Sequence, residues 1–265
     1  MSYILSPRNR TVLSRFARSK GLVAFDFDGT LVPIKEDPFQ VWIAPQTRAL
    51  LKRLCALYPC MVISGRARDD VQRRLRGTGI PCVVGNHGAD LGDSRPLTDI
   101  VSEWKALVSP GLSKIPGVWL EDKQLSLAIH YRQSPHKADA RRSILRAARQ
   151  LTHLRLVPAK LAVNLIPENA PHKGMALVEY QTRLACDTAL FVGDDVTDED
   201  VFSLNGRQKL VGIRVGQKQA SQAKFWLNKQ SEIDELLRVL VALREQSVSS
   251  HSPESARRHA VKSRA

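Results

Sequence analysis

The stretch that decides the fold reads Val23-Ala24-Phe25-Asp26-Phe27-Asp28-Gly29-Thr30. The apolar run that leads into it predicts a buried strand, which ends in two carboxylates one residue apart and a Gly-Thr turn. In an open α/β sheet, ligands bind beyond the carboxyl ends of the strands, so we expect Asp26 and Asp28 at the rim of a site. Two like charges this close repel each other, and a divalent cation is the usual reason to keep them together. An Asx turn at a polar strand end is the competing interpretation.

Three more predicted strands end in polar residues: Cys60-Met61-Val62-Ile63 before Ser64-Gly65-Arg66, Cys82-Val83-Val84 before Gly85-Asn86-His87-Gly88, and Thr188-Ala189-Leu190-Phe191-Val192 before Gly193-Asp194-Asp195. Ser64 either caps the helix that follows or helps to bind an anion at its start. His87, between two glycines, is either a structural residue of a tight loop or part of a site. Both interpretations stay open at this point.

The acidic loop after Val192 has two parts. Residues 198–200 suit the first turn of a helix capped by Thr197, but that explanation does not cover Asp194, which directly follows the strand and Gly193. Upstream, Lys173 opens a predicted helix. A cation at a helix start is unfavourable for the helix dipole unless an anion lies nearby. The position of Lys173 therefore indicates that an anion lies near it.

The alternation of strands and helices breaks between residues 94 and 167. Alternating apolar residues predict strands around 125–131, 154–156 and 161–165, with a helix over 134–151 and a weaker helix over 99–114. Alternation implies an antiparallel sheet with one solvated face, on which Asn164 would lie, directed either into a cleft or to bulk water. We predict an α/β domain with a parallel sheet, formed by residues 1–93 and 168–245. A smaller α+β domain of residues 94–167 is inserted as a lid, and residues 246–265 form a disordered basic tail.

Composition narrows the function classes. The 265 residues carry a net charge of +14, which suits nucleic acid or a small anionic substrate. Because aromatic residues are not interleaved with the basic ones and no helix-turn-helix is present, we expect no nucleic-acid partner. We find no signal-peptide core and no apolar run of the roughly 18 residues that a membrane helix needs. Four cysteines without a C-x-x-C pair suit a reducing compartment. We therefore predict a cytoplasmic protein that does not contact membranes. A monomer is our expectation, although nothing in the composition fixes the oligomeric state.

Together the motifs resemble the haloacid dehalogenase superfamily of phosphohydrolases. The resemblance rests on the order and strand-end setting of Asp26-x-Asp28-Gly29-Thr30, Ser64, Lys173 and Gly193-Asp194-Asp195, and it extends to about Arg244. More closely, the sequence resembles the trehalose-6-phosphate phosphatases. That likeness is carried by four stretches: Val62-Ile63-Ser64-Gly65-Arg66, His87-Gly88-Ala89, His130-Tyr131-Arg132-Gln133-Ser134-Pro135 and Gly193-Asp194-Asp195-x-Thr197-Asp198-Glu199. The resemblance implies a Rossmann-like core and an α/β cap at the position of the insert.

The resemblance also implies roles for individual residues. Asp26 would be the nucleophile and form an aspartyl-phosphate, and Asp28 would be the general acid and base. Mg²⁺ would be held by the carboxylates of Asp26 and Asp194 and the carbonyl group of Asp28. Ser64 and Lys173 would bind the phosphoryl group. Asp195 and Asp198 would support the site from outside the metal ligands, with Asp195 orienting Lys173 or metal-bound water.

The expected substrate-binding residues lie mainly in the cap: Arg66, His87, Glu121, Lys123 and Asn164. Glu121-Asp122-Lys123 matches the family's sugar-contacting Glu-x-Lys. The departure is at Asn164, because the family usually carries Val-Glu-Ile-Lys-Pro where this chain has Val163-Asn164-Leu165-Ile166-Pro167. Hydrogen bonds to a charged group contribute roughly 1.5–3 kcal/mol, against about 1 kcal/mol for neutral ones. The amide would therefore weaken binding of trehalose 6-phosphate or indicate another sugar phosphate.

Three hypotheses follow. The first is a Mg²⁺-dependent trehalose-6-phosphate phosphatase. The second is a phosphatase of another sugar phosphate, of the sucrose 6-phosphate or mannosyl-3-phosphoglycerate type. The third is a non-catalytic sugar-phosphate or nucleic-acid-binding protein, against which the complete set of Asp26, Asp28, Lys173 and Asp194 argues, because a binding protein has no use for a nucleophile.

Overall fold

The computed structural model describes residues 1–35, 37, 40–92, 95–159, 161–205, 209–217 and 220–249. The chain divides into two compact units. The first contains residues 1–63, 70–83 and the chain from 173 onward; the second contains residues 64–69 and 84–172. The second unit thus includes short segments on both sides of residues 94–167 that we assigned to the larger domain.

A seven-stranded sheet organises the first unit. In chain order its strands are β1 (Ser2–Tyr3), β2 (Gly21–Phe25), β3 (Cys60–Ile63), β4 (Cys82–Val84), β9 (Thr188–Gly193), β10 (Leu210–Val215) and β11 (Phe225–Leu227). Their order across the sheet is β1-β11-β10-β9-β2-β3-β4. The strand β2 is buried along its whole length and pairs in parallel with β3 on one side and β9 on the other. Parallel pairing brings the carboxyl ends of these three strands to one edge of the sheet.

Helices pack on this sheet: α1 (Arg10–Arg18), α2 (Pro45–Cys55), α3 (Arg68–Arg74), α6 (Lys173–Arg183), α7 (Glu199–Phe202) and α8 (Ile233–Ser249). The helix α8 buries the apolar stripe that its spacing predicts, comprising Ile233, Leu236, Leu237, Leu240 and Val241. It runs to Ser249, so residues 246–249, which we assigned to the basic tail, are helical. The rest of that predicted tail, residues 250–265, lies outside the described residues.

The strands β1 and β11 were not predicted. They contain two and three residues, which is too short for any periodicity to show. Both strands are defined by hydrogen bonding to their neighbours in the sheet, since β11 pairs in parallel with β1 and with β10.

The second unit has four strands, β5 (Trp119–Asp122), β6 (Leu127–His130), β7 (Leu154–Ala159) and β8 (Ala162–Pro167), and two helices, α4 (Arg95–Leu112) and α5 (Lys137–Ala148). The strands form an antiparallel sheet of order β5-β6-β8-β7. One face of the sheet packs on the two helices through a single apolar cluster. The edge strand β5 was not predicted, because its two acidic residues hide any apolar pattern. The parallel sheet and the smaller α+β unit confirm the predicted fold class.

The middle of the other face of this sheet is buried, so our prediction of a solvated face is wrong there, although the Glu121 side chain at the β5 edge of that face is 36% exposed. All of β8 is buried, and the small side chains Ser126 and Ala128 of the neighbouring segment are each 1% exposed. The loop around Asn86 covers part of this face, since Ser126 Oγ donates a hydrogen bond to Asn86 Oδ1 at 3.2 Å. A second apolar cluster that includes Leu97, Leu125 and Ile166 covers more of it. Alternation indicates which face of a strand is apolar but not what lies on the other.

Within the described ranges, no helix is both long enough and apolar enough to cross a membrane.

Candidate active site

Asp26 directly follows β2 and is only 4% exposed. Its main-chain N–H donates to Val192 O at 2.8 Å, which continues the pairing of β2 with β9. This register places Asp26 beside Gly193 and the acidic loop that begins at Asp194. The half-buried Asp28 follows in the turn and forms a bridge with Val32.

The Gly-Thr turn brings Asp194 close to Asp26. Gly29 has a φ of 80°, and a Cβ on it would lie 2.1 Å from Asp194 Oδ2. A side chain at residue 29 would therefore collide with this carboxylate and strain the backbone. Thr30 Oγ1 donates to Asp194 Oδ1 at 3.3 Å. The Asp-x-Asp-Gly-Thr motif thus provides both a carboxylate and the space for a second one.

Lys173 is the first residue of α6 and is 1% exposed. Its Nζ donates to Asp26 Oδ1 and Asp198 Oδ1, each at 2.7 Å. The carboxylates explain the cation at a helix start that the sequence singled out. We expected Asp195 to orient either Lys173 or metal-bound water, and the residue of that loop that accepts the hydrogen bond from Lys173 is Asp198.

Asp195 and Asp198 organise the loop after β9, and the interpretation in which Thr197 caps the following helix is wrong, because Asp198 is the residue before that helix. A short 3-10 turn (Val196–Asp198) begins after Asp195, so Thr197 lies within the turn. The main-chain N–H of Asp195 donates to Asp198 Oδ2 at 2.8 Å. A Cβ on Gly193 would meet Asp198 Cγ at 2.4 Å, so this glycine allows the Asp198 side chain to fold back over the strand end.

Three carboxylates form a group that could hold a metal ion. One oxygen from each of Asp26, Asp194 and Asp198 lies within 4.8 Å of the others. Burial raises the pKa of Asp194 to about 7, and the neighbouring charge of Asp198 adds to the rise. Burial also raises the pKa of Asp26 well above its usual value, although the Lys173 ammonium opposes that rise. A cluster of buried acidic oxygens that repel one another suits a hard divalent cation such as Mg²⁺.

Burial alone would lower the pKa of Lys173, but the carboxylates of Asp198 and Asp26 raise it above its usual value. The ammonium therefore stays charged at neutral pH. The group combines a buried carboxylate, a fixed cation and candidate metal ligands, which are the kinds of groups that phosphoryl transfer requires.

Ser64 and His87 lie in the second unit, in the loops after β3 and β4. Ser64 is buried, and its Oγ accepts a hydrogen bond from the Arg66 N–H at 3.2 Å. The helix α3 begins only at Arg68, two residues after Arg66. Ser64 is therefore part of a local turn and not the N-cap of α3. The His87 N–H donates to Ser64 O at 2.8 Å, and the His87 ring packs on Gly65, where a Cβ would lie 2.3 Å from Cε1.

Lys123 and Glu121 lie at the end of β5, on the side of its sheet away from the helices. Lys123 Nζ donates to Gly65 O at 3.1 Å and lies 4.0 Å from Glu121 Oε2. Glu121 Oε2 accepts a hydrogen bond from His130 Nε2 at 2.9 Å. Burial by itself would raise the pKa of Glu121, but the bond from His130 and the charge of Lys123 leave it below its usual value. The Trp119 ring stacks on His130 with centroids 4.0 Å apart.

Asn164 is placed in the same cross-strand row as Glu121, since Ala128 pairs with both residues. It is buried, with 6% exposure, and its Nδ2 lies 3.5 Å from Val157 O. Of the two directions that the sequence leaves open for this face, a cleft or bulk water, the burial of Asn164 contradicts bulk water.

Sequence reasoning missed Arg214 on β10. Its guanidinium donates to the carbonyl groups of Asp194 and Asp195 and to Glu199. A single cation inside the apolar strand Leu210–Val215 was the signal that could have found it, since buried arginines require partners.

The family model and the curated relatives that match this chain indicate the same family. Residues 24–231 match the family model described as trehalose-phosphatase. A trehalose-phosphate phosphatase of Mycobacterium tuberculosis is 31% identical over 218 residues, covering 73% of this chain and 55% of the relative. A second, of Mycobacterium avium, is 32% identical over 198 residues, covering 68% and 50%. The chain thus spans about half the length of the curated relatives it matches.

Solved structures show the same fold. A trehalose-6-phosphate phosphatase related protein aligns with a TM-score of 0.69 at 23% identity, covering 85% of this chain and 99% of that one. The C-terminal domain of a trehalose-6-phosphate phosphatase of C. albicans aligns with a TM-score of 0.67 at 22% identity, covering 88% and 97%. At these identities the likeness establishes the fold alone.

Proposed function

The chain belongs to the trehalose-phosphatase family, and we propose that it hydrolyses trehalose 6-phosphate to trehalose and phosphate with Mg²⁺ as cofactor. The observation that carries the proposal is a buried group of charges. Lys173 Nζ donates hydrogen bonds of 2.7 Å to Asp26 and to Asp198, and an Asp194 oxygen lies within 4.8 Å of oxygens of both carboxylates. The choice of trehalose 6-phosphate as the substrate is supported by the curated relatives, which are trehalose-phosphate phosphatases.

The residues support a two-step reaction. Asp26 attacks phosphorus while the bond from phosphorus to the sugar oxygen breaks, and Asp28 gives its proton to that oxygen. In the second step Asp28 removes a proton from water, the water oxygen attacks phosphorus, and the bond to Asp26 breaks to release phosphate. Lys173 and Ser64 bind the phosphoryl oxygens. Mg²⁺ held by Asp26, Asp194 and the Asp28 carbonyl would supply further charge neutralisation.

A phosphate-release assay tests the proposal. Trehalose 6-phosphate should be hydrolysed with a higher kcat/KM than sucrose 6-phosphate, mannosyl-3-phosphoglycerate or glucose 6-phosphate. Release of phosphate from none of them in the presence of Mg²⁺ would contradict a phosphatase function. The Asn164 departure is the observation that favours the second candidate, a phosphatase of another sugar phosphate, and a higher kcat/KM for another member of the panel would identify it.

Removal of the metal should abolish turnover reversibly. After exhaustive chelation, activity should return with Mg²⁺ and not with Ca²⁺, because Ca²⁺ prefers more ligands at longer distances than a compact carboxylate site offers. Mg²⁺ should also raise the Tm of the wild type and not that of Asp194→Asn, since a ligand stabilises only the state that binds it. Full activity after chelation would refute the metal requirement.

Substitutions in the cap should separate recognition from chemistry. We expect Glu121→Gln and Lys123→Met each to lower kcat/KM for trehalose 6-phosphate by on the order of 10-fold, since each removes a charged hydrogen-bonding group. Hydrolysis of p-nitrophenyl phosphate, whose leaving group is activated and has no sugar hydroxyls, should change far less.

Asp122→Asn is the matched control for these variants. Asp122 is the neighbouring acid on β5, alternates to the other side of the strand, and pairs with Lys105 at 2.9 Å near the surface. The Asp122→Asn variant should hydrolyse both substrates with the kcat/KM of the wild type. Equal losses for both substrates in Glu121→Gln and Lys123→Met would show that these residues do not determine specificity.

A further inference from the structure

The guanidinium of Arg214 is buried beneath the loop that carries Asp194. Arg214 lies near the end of β10 and is 6% exposed, and the register pairs it with Gly193, the residue before Asp194. A buried arginine is costly unless its donors are satisfied. The partners that it binds therefore indicate why a cation stands in an otherwise apolar strand.

Those partners are mainly the backbone of the acidic loop. Arg214 Nη1 donates to Asp195 O at 3.1 Å and to Glu199 Oε1 at 3.0 Å, and Nη2 donates to Asp194 O. The other oxygen of Glu199 accepts a hydrogen bond from the Gln222 N–H at 2.8 Å. The guanidinium thus ties two successive carbonyl groups of the loop to β10, and Glu199 holds the guanidinium in place.

The carboxylate of Asp194 needs such support. Its one hydrogen bond that we describe, from Thr30, is long at 3.3 Å, and the nearby carboxylates of Asp26 and Asp198 repel it. Its direction therefore depends on where the backbone places the Asp194 Cα. Fixing the carbonyl groups of Asp194 and of the next residue, Asp195, restricts that placement from the carboxyl-terminal side of the Asp194 Cα.

We propose that Arg214 is a positioning residue for the metal site: it holds the backbone of Asp194 and Asp195 so that the Asp194 carboxylate is preorganised for Mg²⁺. This inference rests on the metal site of the proposed function. It assigns Arg214 no contact with the substrate or the metal. Residues that orient metal ligands from outside typically change metal affinity by about 10–100-fold when they are replaced.

The test is direct calorimetric measurement of the Mg²⁺ dissociation constant for the folded protein. Arg214→Met should weaken Mg²⁺ binding by about 10-fold or more. Arg214→Lys, which keeps the charge but loses the planar fork, should lie between the wild type and Arg214→Met. In activity assays the loss should shrink at saturating Mg²⁺, and KM for the substrate should change little there.

Arg244→Met is the matched control. Arg244 also donates to two backbone carbonyl groups of the same unit, Ala17 O at 2.8 Å and Ser19 O at 2.9 Å. These carbonyl groups lie at the carboxyl end of α1 and not in the acidic loop. The Arg244→Met variant should lose thermal stability without any change in Mg²⁺ affinity. A purely structural role for Arg214 would give the same pattern in Arg214→Met, namely a lower Tm with unchanged Mg²⁺ affinity, and would overturn the proposal.

If Arg214→Met does not fold, Arg214→Lys and Glu199→Gln decide, because both keep a polar group in place. Weaker Mg²⁺ binding in both supports the proposal, and unchanged binding in either overturns it. Asp194→Asn separates this inference from the metal site itself. If the wild type does not bind Mg²⁺ more tightly than Asp194→Asn, the metal site fails and the inference about Arg214 fails with it.

Discussion

Asp26→Asn should abolish hydrolysis of every phosphate ester that the wild type accepts, by a factor on the order of 10⁴ or more, as expected when a covalent nucleophile is removed. The amide has nearly the same shape and can still accept a hydrogen bond from Lys173, which lies 2.7 Å from Asp26 Oδ1. It cannot form the aspartyl-phosphate. Steady-state and single-turnover phosphate release should therefore fall together, because the first chemical step is lost.

The same variant should stay folded and keep or raise its Tm. Burial raises the pKa of Asp26 well above its usual value, so the charged form is costly in the folded protein, and the neutral amide removes that cost. Asp187→Asn is the control, because Asp187 is exposed and precedes β9 at its amino end, away from the site. It should leave activity unchanged. An Asp26→Asn protein with normal Tm and more than trace activity would remove Asp26 from the role of nucleophile.

The convergence of the charged groups could be predicted from the sequence for a topological reason. Strands β2 and β9 are parallel neighbours, so residues that follow each strand must meet at one edge of the sheet. The family resemblance implied that Asp26 and Asp194 lie together, and this pairing is the structural reason for it. Lys173 was singled out by its unfavourable position at a helix start, and its two carboxylate partners account for that position.

The contacts that sequence could not predict depend on which way single side chains turn. Asp195 and Asp198 follow the same strand, and only the geometry of the 3-10 turn between them directs Asp198, and not Asp195, to Lys173. The face of the sheet that carries Asn164 is covered in part by a loop about 80 residues earlier in the sequence, around Asn86, which accepts a hydrogen bond from Ser126. Local periodicity carries no information about such distant cover.

Replacement of Lys173 should damage both stability and catalysis, and the two effects can be separated. Lys173→Met leaves the carboxylates of Asp26 and Asp198 buried side by side without their shared cation. Breaking a buried ion pair by removing one partner typically costs about 3–5 kcal/mol of unfolding free energy. Turnover should fall by on the order of 10²- to 10³-fold as well, because a fixed cation no longer stabilises the charge that develops on the phosphoryl group.

The double variant Lys173→Met/Asp198→Asn distinguishes the two roles. Asp198 is fully buried, so neutralising it removes one of the two carboxylates that the missing ammonium left uncompensated. Much of the lost unfolding free energy should return, which urea denaturation would measure. Turnover should not return, because neither replacement supplies a cation to the phosphoryl group. If activity recovered in proportion to stability, Lys173 would serve only to balance the buried carboxylates, and its assigned role in binding the phosphoryl group would be wrong.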